Sequence, residues 1–110
     1  MDAETSLFGS SIRDRVLVLL EVKKSSHLRE IARIFELSVP TAQRAIKQLE
    51  FDGLIVARLV GRSRLLELNP RFFAYNELRD LLHAIALKRP DLYAPAEQIR
   101  NRPRRSGKPL

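Results

Sequence analysis

The segment between residues 28 and 64 constrains this chain most, because it predicts two helices joined by a tight turn and followed by a β-hairpin. The second helix of this pair, which is the third helix of the chain, has clear ends. Ser38 suits its N-cap, Pro40 suits its first turn, and Gly53 suits the left-handed position after its last turn. Gly61 supplies the positive φ that a hairpin turn requires. We therefore expect a mainly α fold with a small β-hairpin.

The helices are predicted from apolar residues that recur at helical spacing. A first helix begins after an N-cap at Ser11, with Asp14 completing a weak capping box, and ends near Lys23. The second and third helices are joined at Glu36-Leu37-Ser38, and small residues in the third allow close packing. The expected core positions are Ile12, Val16, Leu19, Leu20, Leu28, Ile31, Ala32, Phe35, Ala42, Ala45, Ile46, Leu49, Leu66 and Leu68.

The length of 110 residues suits one domain with a single modest core. Hydrophobic residues make up 45% of the chain, which is typical of a domain that folds. We expect this domain to span residues 1–97 and a basic, disordered tail to occupy residues 98–110. The chain has no cysteine, which excludes disulfides and thiolate chemistry and fits a reducing compartment. We expect no signal peptide and no membrane span, and hence a cytoplasmic protein.

The net charge of +7 is unevenly distributed. Residues 1–53 contain eight Lys/Arg and eight Asp/Glu, whereas residues 54–110 contain twelve against five. Five of those basic residues lie in residues 98–110, where solubility alone is an adequate explanation. A basic hairpin attached to a helix-turn-helix pattern instead favours a polyanionic partner.

The outer face of the third helix carries polar and cationic residues, with no acid before Glu50. In helix-turn-helix units the second helix of the pair lies in the DNA major groove. Gln and Arg can read adenine and guanine edges, whereas Lys and first-turn hydroxyls suit phosphates. A solvated outer face is the alternative. The candidate DNA contacts on this helix are Ser38, Pro40, Thr41, Gln43, Arg44 and Lys47.

The hairpin carries arginines near its tip, where they suit phosphates or a narrow minor groove. A merely solubilising hairpin tip is the alternative. The candidate contacts here are Arg58, Arg62, Ser63 and Arg64.

A fourth helix is predicted from Phe72 or Tyr75 to Leu87, and Pro90 breaks it. Its apolar stripe is longer than the three-helix core requires. We favour a homodimer interface on this stripe, because paired modules bind half-sites one DNA turn apart. Packing against the first helix within one chain is the alternative. The candidate interface residues are Tyr75, Leu78, Leu81, Leu82 and Ile85.

Catalytic and metal-binding patterns are weak in this sequence. The two histidines, His27 and His83, lie on different elements, and only an inter-subunit site with Asp80 stays open as a metal site. The Gly9-Ser10 pair followed by a lone Asp14 lacks the paired carboxylates that nucleotidyltransferase sites need. We expect no enzyme activity, no metal and no cofactor.

The order of these motifs permits a comparison with a known class. Residues 37–55, together with Leu28-Arg29-Glu30-Ile31-Ala32 and Val60-Gly61-Arg62-Ser63-Arg64, resemble the winged helix-turn-helix of prokaryotic transcriptional regulators, closest to the arsenic-repressor-like and multiple-antibiotic-resistance-repressor-like groups. The resemblance implies a homodimeric, nucleoid-associated regulator that binds double-stranded DNA, with a C-terminal dimerisation-type helix. The resemblance also implies which side chains contact DNA. These are Thr41, Gln43, Arg44, Lys47, Arg58, Arg62 and Arg64.

The chain departs from the metal-sensing members of the arsenic-repressor-like group, which use Cys or sets of His and acidic residues as ligands. It also lacks the extra helices that form an effector pocket in larger regulators. A winged helix that partners a separately encoded protein is the competing interpretation, since arginines also bind acidic protein surfaces.

Overall fold

A computed structural model describes residues 6–89, which form four helices and one β-hairpin. The expected tail at residues 98–110, the domain boundary at residue 97 and the break at Pro90 lie outside the described residues. In chain order the elements are α1 (Ser11–Lys23), α2 (Leu28–Ile34), α3 (Val39–Phe51), β1 (Ile55–Val60), β2 (Ser63–Leu68) and α4 (Tyr75–Lys88).

The start of α1 differs from the prediction by one residue. Ser10, in extended conformation, is the N-cap, and its Oγ accepts from the backbone N–H of Arg13 at 3.2 Å. Ser11 is already helical, so it cannot cap. Asp14 does not close a capping box either: its buried carboxylate accepts from the backbone N–H groups of Leu7 and Phe8 at 3.1 and 3.0 Å. Asp14 therefore fixes the segment that precedes the helix.

The predicted boundaries of α3 are confirmed. Ser38 caps the helix by accepting from the backbone N–H of Thr41 at 3.2 Å, and Pro40 lies in the first turn. Gly53 follows the helix with φ 82°. In the connection between α2 and α3, Glu36 has φ 56°, a conformation unusual for a residue with a Cβ, and the Leu37 N–H donates to the Ala32 carbonyl at 2.8 Å.

The two strands pair antiparallel from Ile55↔Leu68 to Val60↔Ser63, which leaves a two-residue turn at Gly61-Arg62. Gly61 has φ 62°, as the sequence predicted. At the base of the hairpin, Ser26 exchanges two backbone hydrogen bonds with Leu66, at 3.0 and 2.8 Å. This bridge was not predicted, and it connects the hairpin to the residues that lead into α2.

The core is built around α1. Five consecutive apolar residues of α1, 16–20, are buried, because α1 is covered by α3, α4 and the hairpin. Ile31, Leu49 and Ile55 complete the core from the surrounding elements, and Leu66 and Leu68 face it from β2, as expected.

The apolar stripe of α4 packs mainly within the chain. Leu78 and Leu82 are buried against α1, which corrects their assignment to a dimer interface. Their side chains are already covered within a single chain. Tyr75 and Ile85 are half-buried against the same core, and Leu81 is 43% exposed. Helical periodicity identifies an apolar stripe but does not say which surface covers it. Within residues 6–89 no helix has the length and apolar character that a membrane crossing requires.

Candidate nucleic-acid interface

The outer face of α3 is accessible. Pro40, Gln43, Arg44 and Lys47 are exposed, whereas the stripe on the opposite side of the helix is buried in the core. Within the described part of the chain, Gln43, Arg44 and Lys47 have no side-chain hydrogen bond or ion pair. Their donors are therefore available to a partner.

The hydroxyls at the start of α3 are already engaged. The Oγ of Ser38 accepts from the Thr41 backbone, and it lies 2.8 Å from the Thr41 Oγ1. Ser38 is exposed and Thr41 half-buried, so a phosphate contact by either would be added to this capping arrangement. Farther along the helix, Gln48 accepts a hydrogen bond from Arg13 of α1.

The arginines of the hairpin are not equivalent. Arg58 pairs with Glu67 on the neighbouring strand, with Nη2 3.3 Å from Oε1. Arg64 pairs with Glu50 of α3, with Nη2 2.5 Å from Oε2. Arg62, in the turn, has no such partner among residues 6–89. Sequence reasoning missed both acidic partners, because their proximity depends on the tertiary fold.

A groove between α2, α3 and the hairpin was also missed. It has a volume of about 810 Å³. Two exposed arginines of α2, Arg29 and Arg33, lie four positions apart, a spacing that places them on one helix face and that was visible in the sequence. The lining residues are His27, Leu28, Arg29, Glu30, Arg33, Gln43, Ser63 and Arg64.

Glu30 is the acid in this groove, and its charge is locally compensated. Burial raises the pKa of Glu30. A hydrogen bond from Ser26 Oγ to Glu30 Oε1 at 2.6 Å and the positive charge of Lys23, whose Nζ lies 3.5 Å from Glu30 Oε2, outweigh the effect of burial and hold the pKa below its usual value. Because Lys23 and Ser26 engage this carboxylate, the positive charges of Arg29 and Arg33 are left without an acidic partner among the described residues.

The two histidines lie in different parts of the molecule. His27 lines the groove beside the hairpin, whereas His83 and Asp80 line a separate cleft between α1 and α4. That second cleft contains a charged network in which Arg79 Nε donates to Glu21 Oε1 at 3.1 Å and Lys24 lies 3.7 Å from Glu21 Oε2. Among residues 6–89 no three His, Cys or acidic side chains form a group that could hold a metal ion.

Several solved structures of ZitR from Lactococcus lactis share this arrangement of helices and hairpin. A single-site mutant of ZitR superposes with a TM-score of 0.63 over 92% of this chain and 65% of that chain, at 18% identity. The chain has a winged-helix fold. A different ZitR mutant, in complex with DNA, gives a TM-score of 0.57 at 21% identity, covering 76% of this chain and 59% of that chain.

These comparisons extend to the fold and no further, because the identities are low and this chain spans about 65% of the length of the first of these neighbours. A scan of protein-family models and a search of curated proteins each found no match. Assignment to the arsenic-repressor-like or multiple-antibiotic-resistance-repressor-like group therefore stays a prediction.

Proposed function

We propose that this winged helix is a transcriptional regulator that binds double-stranded DNA sequence-specifically, with α3 in the major groove and the hairpin on the backbone or in the minor groove. The observation that carries the proposal is the outer face of α3. Gln43, Arg44 and Lys47 are exposed together and unpaired within the described residues, opposite a buried stripe. A helix presented in this way fits the width of the major groove.

The chemistry of each side chain suggests its role. Arg44 is the candidate for bidentate contact with a guanine edge and Gln43 for an adenine edge. Lys47 and Arg62 suit phosphates, which contribute affinity but little sequence preference. The DNA complexes of ZitR, which shares the fold, support this class of partner.

The test is duplex binding as a function of salt concentration. We expect affinity to fall steeply as salt rises, with a log–log slope of about −0.9 for each phosphate neutralised. Selection of bound duplexes from a random pool should then yield a defined motif. A folded protein that binds no duplex at low salt would contradict the proposal.

The second candidate function, a module that binds a separately encoded protein, is favoured by two phenylalanines. Phe51 at the end of α3 and Phe73 before α4 are 91% and 93% exposed. Exposed aromatic side chains are enriched at protein interfaces. If this function holds, Phe51→Ser and Phe73→Ser should release a co-purifying protein, while Arg44→Ala should not.

We retain the homodimer as part of the proposal, with a smaller contact than the sequence suggested. On α4, Leu81 and Leu87 are the large apolar residues that remain exposed, at 43% and 66%. Sedimentation equilibrium of the full chain, compared with Leu81→Glu, tests this contact. A palindromic motif from the duplex selection would support it independently.

A further inference from the structure

One ion pair joins α3, the proposed recognition helix, to the wing, which is the hairpin formed by β1 and β2. Glu50, in the last turn of α3, places Oε2 2.5 Å from Nη2 of Arg64, the second residue of β2. Within residues 6–89, no other side-chain hydrogen bond connects α3 to either wing strand. Because both side chains are partly exposed, this is a surface ion pair of modest strength.

The ion pair does not cover all of Arg64. Its side chain is 57% exposed, whereas that of Glu50 is 24% exposed. Arg64 also lines the groove that contains Arg29, Arg33 and Gln43. The same guanidinium is thus shared between an acid of α3 and a groove rich in unpaired positive charge.

We propose that Glu50 competes with the phosphodiester backbone of DNA for Arg64 and thereby limits the affinity of the protein for any duplex. The inference rests on the proposed DNA-binding function and assigns a role to an acid on the binding surface. Carboxylate and phosphate oxygens both accept hydrogen bonds from guanidinium, so a phosphate that approaches the Nη2 donor of Arg64 competes with Glu50 for it. The displaced carboxylate would then repel the phosphate.

This competition lowers phosphate-based affinity and leaves base contacts unaffected. Sequence-independent affinity comes from phosphate neutralisation, so withholding Arg64 weakens it. Base contacts from Gln43 and Arg44 do not involve Glu50, so their contribution is retained. Glu50 therefore lowers affinity for all duplexes alike and leaves base preference unchanged. Glu67 does not have the same position, since its partner Arg58 lies within the hairpin and neither residue belongs to α3.

The experiment compares wild type, Glu50→Gln, Arg64→Ala and the double variant on a mixed-sequence duplex of about two helical turns. We expect Glu50→Gln to bind about two- to fivefold tighter, the scale of an exposed ion pair. Its log–log salt slope should steepen by about 0.5 to 0.9. In the Arg64→Ala background, Glu50→Gln should produce no gain beyond that of the matched control Glu77→Gln, which removes the same charge from an exposed position on α4.

The results separate this inference from the function on which it rests. If wild type binds no duplex, the proposed function fails. If wild type binds and folded Glu50→Gln shows unchanged affinity and slope, only the competition is refuted. A gain of equal size in the Arg64→Ala background also refutes it, because the effect would then be general electrostatics. Circular dichroism confirms folding, and Glu50→Ala provides a second variant for each comparison.

Discussion

Both α3, the proposed recognition helix, and the wing carry exposed basic side chains, but the two regions differ in how these side chains are paired. On α3, Arg44 and Lys47 project without acidic partners among the described residues, whereas two wing arginines are each paired with a glutamate. Of the three wing arginines, Arg62 in the turn is the one that resembles the helix residues in this respect. A count of basic residues therefore overestimates the number of unpaired positive charges on the wing that could bind a polyanion.

The largest expected effect tests the helix. Arg44→Ala should weaken binding to a selected duplex by about 1–3 kcal/mol and relax base preference at one position, because a bidentate contact with guanine would be lost. Titration against the selected duplex and its single-base variants measures both quantities. Lys47→Ala is the control, expected to weaken binding to all sequences alike. If Arg44→Ala has unchanged base preference, Arg44 does not contact a base edge.

The next effect compares free and paired arginines within the wing. Arg62→Ala should lower affinity severalfold for every duplex and reduce the salt slope by about 0.9, the contribution of one phosphate. Arg58→Ala should have a smaller effect, because Glu67 already neutralises that guanidinium. Equal losses in the two variants would mean that the ion pair has no influence on phosphate binding.

A backbone change at the wing turn tests how much the conformation of this turn contributes to the stability of the protein, with no change in charge. Gly61→Ala should destabilise the protein by about 1 kcal/mol, since φ 62° is unfavourable for a residue with a Cβ. Apart from the adjacent residues of the chain, no atom of residues 6–89 lies within 4 Å of the new Cβ, so the cost arises from the backbone conformation. Urea unfolding measures it. Gly61→Asn should lose less, because asparagine tolerates this conformation, and an equal loss would point to another cause.

The smallest expected effect is on the pH dependence of stability, and it concerns Glu30 of α2. Because the pKa of Glu30 is lowered in the folded protein, its ionised form stabilises the fold above its unfolded pKa, and this contribution is lost as pH falls through the folded value. We expect Glu30→Gln to flatten the acid side of the stability–pH profile, measured by urea unfolding from about pH 6 to pH 3. Glu77→Gln is the matched control. A profile unchanged by Glu30→Gln would contradict the shift.

Sequence reasoning succeeded where the determinants are local. The cap at Ser38, the stop at Gly53 and the turn at Gly61 each depend on residues within one turn of the chain. It failed where a choice depends on distant partners. Leu78 gives the same helical pattern whether the first helix or a second protomer covers it. The cap of α1 was misassigned for a local reason, because Ser10 and Ser11 are adjacent and both residues suit an N-cap.

The candidate site divides along the same line. Exposure of the α3 face follows from helical periodicity, so Gln43, Arg44 and Lys47 could be selected from the sequence. The pairing of Arg64 with Glu50 could not, because the two residues meet only after the hairpin folds back beside the helix. The Ser26–Leu66 bridge is a second example, since forty positions separate its residues.

The buried carboxylate of Asp14 has a practical consequence for handling the molecule. It anchors Leu7 and Phe8, and the neighbouring Arg13 donates to the Phe8 carbonyl and to Gln48 on α3. The segment that precedes α1 is thereby connected to α3, the helix proposed to enter DNA. Any shortened variant used in the assays above should therefore retain Leu7 and Phe8.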